Sequence, residues 1–476
     1  MPTKRGVAMT SGRIIAGIVG IGVAAVTIAA AGRLELPNLT IEPQSVLVTP
    51  VAGDQSVVCP GPLLALAQNA DAATALGSFG SAAVEFAGGE TTPTTTDLAA
   101  PDNTSGTGDG GPLQVSVPGG GQKPVPLSAA QSQSAAQAEI AGLTAAACTP
   151  ASGESWLVGG SSDVGRTTLI LLSNPSAVDA NVTLDVYGST GLLEAPGASG
   201  IVVPPGTQKV VTLTGLAPNE VTPVVHVTSR GGQIVAALQQ STVRVLTPGG
   251  VETMGPTTAP TTALTIPGLV VGSAPAPVPG SDTSSVDDRA TALRILAPGT
   301  DGAKVSITAY KEDGTAALDA VDVQLTPGVP GEVALPNLPI GTYTLQVTAD
   351  HPVVAAARSN VRADAAEDFA WFTASAPLND TFAFSVPAGP AAVLHLFNSG
   401  TSDAEVELKP DTGAVVKVTV KADSAGVVPV AAGQSYQVTT KAGLYGSVSM
   451  SAPGALASFA VNPPNPLAAA IEVFPK

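Results

Sequence analysis

The stretch TTLILLSNPSAVDANVTLDVYGSTG, residues 167–191, decides the fold. It opens with an apolar run, turns at Asn174-Pro175, and continues as a strand in which Val182, Leu184 and Val186 alternate with Asn181, Thr183 and Asp185. Alternation with period two puts one face of a strand in a core and the other in water. The pattern returns as TALRILAPGTDGAKVSITAYKEDG from Thr291 and as AVLHLFNSGTSDAEVELKPDTG from Ala392. Tyr187 and Tyr310 fill the same slot, where the third copy has Lys409-Pro410-Asp411.

The second half of each unit repeats as well. IVVPPGTQKVVTLTGLAPNEVTPVVHVTS from Ile201 corresponds to VQLTPGVPGEVALPNLPIGTYTLQVTA from Val323 and to VTVKADSAGVVPVAAGQSYQVTT from Val418. Leading strands are read at WLVGG from Trp156, LVVGS from Leu269 and WFTAS from Trp371. Closing strands are read at Ile234–Ala237, Val353–Ala356 and Ala455–Ser458. Roughly seven short strands per copy, with turn signals every 8–12 residues or so, predict antiparallel β-sandwiches of the immunoglobulin-like kind. The expected fold is mainly β, with three tandem modules over 151–250, 251–363 (linker included) and 364–476. The short junction near Asp364–Asp368 predicts that the copies stack as a semi-rigid rod.

Residues 34–150 read as an extended, low-complexity segment packing on the first module. Residues 88–126 are too polar and too rich in Gly and Pro to bury a core. Leu127 to Ala147 is expected to be a short helix, since its Ala, Gln and Glu residues favour one. The two cysteines, Cys59 and Cys148, are expected to form a disulfide in an exported chain.

Export is argued from the N-terminus. Lys4, Arg5 and Arg13 precede an uncharged run from Ile14 to Gly32, and Arg33 follows. Such a run, at 1.5 Å per residue, is about 28 Å long, close to a bilayer's hydrocarbon thickness. The preceding cations favour a cytoplasmic N-terminus. Residues 1–33 are therefore expected to be a cytoplasmic tip and a transmembrane signal-anchor, with the bulk extracellular. Cleavage and secretion is the alternative, since Ala29 and Ala31 fit a small-x-small site.

Net charge is −17, so no basic excess exists to displace counterions from nucleic acid. His226, His351 and His395 fall in different copies, which argues against a shared metal or catalytic site. GTGDGG at 106–111 lies in low-complexity sequence without a strand before it or a helix after it, and reads as linker. Asp282, Asp287 and Asp288 read as a solvated loop. Arg244 and Arg362, just after closing strands, read as a repeated structural ion pair. No catalytic, cofactor-binding or metal-binding residue is assigned. Trp156 and Trp371 read as core or edge anchors. Trp371, Phe372, Tyr187 and Tyr310 are the candidate ligand platform if the chain binds a polymer.

The N-terminal anchor, CPGP at 59–62, a second Cys before SWLVGG, and LLSNPSAVDANVTLDVYGSTG together resemble an actinobacterial family of membrane-anchored secreted proteins that carry a domain of unknown function. The resemblance implies an envelope location and no catalytic residues. The expected role is non-enzymatic: structural, or interaction with envelope proteins. Binding of a cell-wall polymer is the alternative.

Overall fold

The structure, a computed structural model, describes residues 46–48, 54–66, 75–104, 110–119, 125–272, 288–336, 338–463 and 471–473. The expected anchor at 1–33 lies outside the described residues. Among the described residues no helix is long and apolar enough to cross a membrane. The chain divides into two units. One comprises residues 1–50 and 470–476, and in it Val46–Val48 pairs antiparallel with Ile471–Val473. The other, residues 51–469, holds all that follows.

The third repeat shows the plan most cleanly. Its eight strands are Thr381–Val386, Ala392–Asn398, Ala404–Pro410, Val416–Val420, Ser424–Val430, Gln434–Thr440, Tyr445–Ala452 and Ala455–Ala460. They form two sheets, ordered first–sixth–third–fourth and fifth–second–seventh–eighth. The first repeat runs from Glu154–Val158 to Thr247–Met254 in the same two orders, its fourth strand split into Gly191–Leu192 and Ile201–Val203. The second repeat runs from Thr261–Val271 to Ala366–Thr373, and its sixth and seventh strands are one continuous strand, Gly341–Ala363, that takes part in both sheets. The order departs from the A-B-E-D and C-F-G sheets of immunoglobulin constant domains. Pairing of the second strand with the fifth and of the third with the sixth is common to both, but here the first strand flanks the sixth.

Two expected assignments are corrected by this pairing. The strand containing WFTAS does not lead the third repeat: it pairs with Ala356–Ala363 as the last strand of the second, so the boundary drawn at 363/364 falls inside a hairpin. Ala455–Ser458 is likewise an eighth strand; the counterpart of the other two closing strands is Tyr445–Ala452. Both slips come from short apolar stretches that look alike in sequence: WFTAS resembles the leading strand WLVGG, and ALAS resembles the closing strand VVAA.

Residues 54–150 form a fourth sandwich of the same design. Gln55–Cys59, Leu113–Val117 and Thr94–Asp97 pair as first, sixth and third strands; Ala83–Gly88, Leu127–Ala136 and Ala141–Ala147 pair as second, seventh and eighth. Among the described residues no fourth or fifth strand is present, and a small hairpin, Leu64–Leu66 with Leu76–Ser78, is inserted after the first. The helix expected over 127–147 is thus two strands. Ala and Gln favour helix only weakly, and burial overrides them. Gln131 and Gln133 are buried, and their amides pair with backbone as a strand would: Gly61 N donates to Gln131 Oε1 (2.9 Å), Leu63 N to Gln133 Oε1 (2.9 Å), and the two Nε2 groups donate to the carbonyls of Gly61 and Phe79 (both 2.7 Å). Cys59 and Cys148 form the expected disulfide, tying the end of the first strand to the residue after the eighth.

The four sandwiches form a closed ring, not a rod. Their eighth strands pack on one another in cyclic order, leading module to first, second and third repeats and back. Around them, each module's first strand region packs on the second and seventh strands of the next. Leu64 and Leu76 meet Leu169, Leu171 and Ala237. Trp156 clusters with Leu296, Val354 and Ala356. Ser447 Oγ donates to Pro267 O (2.7 Å). Ala130 packs with Phe382 and Phe384, where Ser128 and Ser385 hydroxyls bond at 2.8 Å. The reason lies in the sequence. LILL at 169–172 and VAA at 235–237 are continuous apolar runs, buried on both strand faces, and a two-sheet sandwich covers only one.

Candidate functional site at the four-module axis

The eighth strands can be aligned through the residue that follows each and bridges back to a first strand: Thr149 to Val58, Thr257 to Trp156, Ser375 to Thr265. Seven residues before those positions stand Gly142, Gly250 and Asp368, and the third repeat places Ala455 there. Asp368 is fully buried. Its Oδ2 accepts from Leu143 N (2.8 Å) and Leu456 N (3.1 Å), and its Oδ1 from Val251 N (3.2 Å) and Phe369 N (3.0 Å). Those four amides are the equivalent groups of the four modules. One carboxyl group on the pseudo-fourfold axis therefore ties all of them together.

Only one such side chain fits. A Cβ on Gly142 would lie 2.5 Å from Asp368 Oδ1 and 2.9 Å from Val251 N, and one on Gly250 would lie 2.8 Å from Asp368 Oδ1. Two residues further along, Glu252 is also fully buried. Its Oε1 accepts from Thr253 N (2.9 Å) and Thr144 Oγ1 (3.3 Å), while Oε2 has no protein partner. Burial pushes Asp368 up to about 8 although four backbone amides pull it down. Glu252 is raised well above the usual range, by burial first and then by the charge of Asp368. With both carboxyls sealed from solvent, this pair can hold modules in place but cannot meet a substrate.

The joint between the first and second repeats carries a second polar core. The buried Arg294 guanidinium donates to the carbonyls of Gly160 (2.7 Å), Pro223 (3.1 Å) and Val221 (3.2 Å) of the first repeat and pairs with Glu332 at 3.1 Å. It lies 4.7 Å from the Trp371 ring centroid, with Arg358 at 5.5 Å. Burial lowers Arg294 to about 10, against the Glu332 charge. At the rim of this joint Arg244 pairs with Asp288 (2.8 Å) and Glu367 (2.9 Å), Arg166 with Asp288 (2.6 Å) and Arg289 with Glu367 (3.0 Å). Asp288 is therefore an ion-pair residue, not part of a solvated loop; Asp282 and Asp287 lie outside the described residues.

The expected ligand platform is not assembled. Trp371 and Phe372 are each 1% exposed, so neither offers a ring to a ligand. Trp371 instead donates from Nε1 to Gln240 Oε1 (2.8 Å), across the joint. Tyr187 and Tyr310 are half-buried in different repeats; Tyr187 stacks near Trp156 (5.9 Å) and Tyr310 lies against Phe397 (6.1 Å). His226 stacks on Trp156 at 4.1 Å, His351 is exposed beside Asp350, and His395 is buried with Nε2 2.8 Å from Ser449 Oγ. Among the described residues no group of three or more His, Cys, Asp or Glu is placed to hold a metal ion. Asp368 and Glu252 were not singled out from sequence. An acid in a strand whose sister positions are Gly, Gly and Ala is the available signal, and it is visible only once the eighth strands are aligned.

No curated relative of the chain was found. Among solved structures it is similar to the major pilin of Streptococcus pyogenes, at 11% identity over 65% of this chain and 99% of the pilin, with a TM-score of 0.13. An asparagine-to-alanine variant of that pilin matches at 12% identity over 62% of this chain and 99% of its own, again with a TM-score of 0.13. Likeness at that level carries no argument. Residues 103–441 match a family of unknown function, DUF5719, and since that stretch is more than half of the sequence and spans parts of all four modules, the chain belongs to that family.

Proposed function

We propose that this chain is a non-enzymatic envelope protein, working outside the cytoplasmic membrane as a rigid scaffold that presents surfaces to partners. The observation that carries the reading is the Cys59–Cys148 disulfide, which closes the leading module on itself and suits an oxidising compartment. The apolar run from Ile14 to Gly32 supports an anchored form, and the sealed axis supports a structural use of the most perturbed acids. The test is thiol alkylation of chain taken from intact cells, with protease access from outside. Protected cysteines and external cleavage are expected. Free thiols, or protection of the whole chain from external protease, overturn the reading.

Binding of a wall polymer is kept as a second reading on one observation. Tyr187, Trp156 and His226 stack near one another, with the partly exposed Glu154 and Asp185 carboxylates 2.9 Å and 3.4 Å from the His226 ring nitrogens. Saturable binding to isolated wall material that is lost in Tyr187→Ala supports it; absence of binding returns the weight to protein partners.

A further inference from the structure

The four eighth strands enclose two carboxyl groups and no cation. Ala141–Ala147 and Ala455–Ala460 carry no charged residue, Thr247–Met254 carries Glu252, and Ala366–Thr373 carries Glu367 and Asp368. Glu367 is turned to the rim, where it meets Arg244 (2.9 Å) and Arg289 (3.0 Å). The seventh strands that pair with the eighth bring no counter-charge to the axis. Leu127–Ala136 and Tyr445–Ala452 hold no charged side chain, and Tyr445 is their one titratable group. On Val235–Arg244 the cation is Arg244, which also pairs with Asp288 (2.8 Å). On Gly341–Ala363 the cations are Arg358, which pairs with Glu332 (2.8 Å), and Arg362, exposed and opposite Glu367 in the ladder. Tyr343, Asp350 and His351 belong to the part of that strand that runs in the other sheet. In the hairpin turns, Glu139 and Asp364 are exposed. Among the described residues no cation pairs with Glu252 or Asp368.

The two carboxyls meet different donors. Asp368 takes two N–H groups on each oxygen, which uses the four lone-pair sites of a carboxylate. A proton on either oxygen would face those donors. Glu252 is bonded through Oε1 alone, and no described residue meets its buried Oε2. We propose that Glu252 is a neutral carboxylic acid with its proton on Oε2, that Asp368 holds the single negative charge of the axis, and that this proton is a pH-sensitive clasp on the ring. Losing it puts a second negative charge into the same sealed core, facing no cation. Parting of the eighth strands to admit water relieves that repulsion, so the clasp loosens as pH rises. Burial raises both carboxyls, which agrees in sign. The two titrate as a pair that retains one proton, and the four donors decide that it is not on Asp368. This inference goes beyond the scaffold role proposed above and takes nothing from it.

The experiment uses the full chain with its disulfide intact. Urea unfolding is measured from about pH 7 to 9, above the range in which histidine changes charge, for the wild type and for Glu252→Gln. Over that range the folded axis keeps a proton that an unfolded glutamate has already lost. The ratio of the wild-type to the variant unfolding constant should therefore rise about tenfold per pH unit until the axis itself titrates. Infrared spectroscopy reads the proton directly and needs no variant. The C=O stretch of a buried carboxylic acid is expected at neutral pH and should vanish on alkalinisation. Glutamate labelled with heavy carbon at its side-chain carboxyl should shift that band, and labelled aspartate should not. Should Glu252→Gln fail to fold by circular dichroism, the labelled band decides. A flat ratio, no band at neutral pH, or a band that shifts with labelled aspartate overturns the proposal. The thiol and protease test reads the compartment alone, so either reading can fail without the other.

Discussion

At the scale of single residues, the axis makes the sharpest demand. Asp368→Ala would leave four buried N–H groups without their acceptor. Each buried unpaired group costs about 1–3 kcal/mol. A urea midpoint corresponding to less than about 1 kcal/mol of loss would contradict the role assigned to Asp368. Asp368→Asn should fall between the two, since its amide turns a donor toward amides that are themselves donors. His395 supplies a pH dependence of known sign. Burial holds it down to about 4, below the ordinary 6.5. The unfolded chain therefore takes up the proton first as pH falls, and its contribution to stability is full above about 6.5 and is lost as pH drops through about 4. The size is on the order of 3 kcal/mol, and His395→Gln should flatten that part of the stability–pH curve.

At the scale of elements, small residues at the axis matter as much as the acid. Gly142 and Gly250 have φ of +144° and +115°, and each approaches Asp368 too closely to accept a Cβ. Gly250→Ala should destabilise by more than a helix-type Gly-to-Ala change ever recovers, read as a fall of several degrees in melting temperature. The disulfide acts on a different element. Its partners are 89 residues apart, and closing a loop of that size is worth on the order of 4–5 kcal/mol in the chain-entropy account. Reduction should loosen the leading module first, seen as new proteolytic cuts before residue 150; an unchanged digestion pattern would contradict this. The sister strands also show why the helix expectation over 127–147 failed. Ser, Ala and Gln lie on a strand buried continuously over residues 128–133, on both faces, and neither periodicity nor propensity reports that kind of burial.

At the scale of the whole molecule, ring and rod make different predictions. A rod of independent sandwiches would melt in steps and tolerate loss of an end. In the ring, Ala130, Leu143 and Ala145 of the leading module complete the core of the third repeat. Deleting residues 1–150 should therefore uncover that core and yield an aggregation-prone product, detected by light scattering, in place of a stable three-module fragment. For the intact chain a single cooperative unfolding transition is expected over the described body. The ring also explains an odd composition. With aromatics at 3%, the sandwich cores are thin and built of Val, Leu and Ala. The few large rings, Trp156, Trp371, Phe382 and Phe384 among them, go to clusters that span the joints, where area buried per residue counts most.

The sequence by itself determined what local pattern can carry: a mainly β chain, repeats with turns in fixed places, the strand alternation of Ala180–Gly188 and Ala404–Pro410, and a disulfide between the only two cysteines. Each follows from side-chain period, turn chemistry or the count of thiols, and each can be read within a few residues or by comparing one copy with the next. Only the tertiary structure decided that residues 54–150 are a fourth module, that the modules close on themselves, and that Asp368 sits where four strands meet. Those depend on contacts between residues far apart in the chain, and a continuous apolar run such as LILL at 169–172 says that a second face must be covered without saying by what. The same limit removed Trp371 and Phe372 from the ligand platform: an aromatic on a strand reads alike whether it meets solvent or protein, and here the first repeat covers Trp371 and the second repeat's own core takes Phe372.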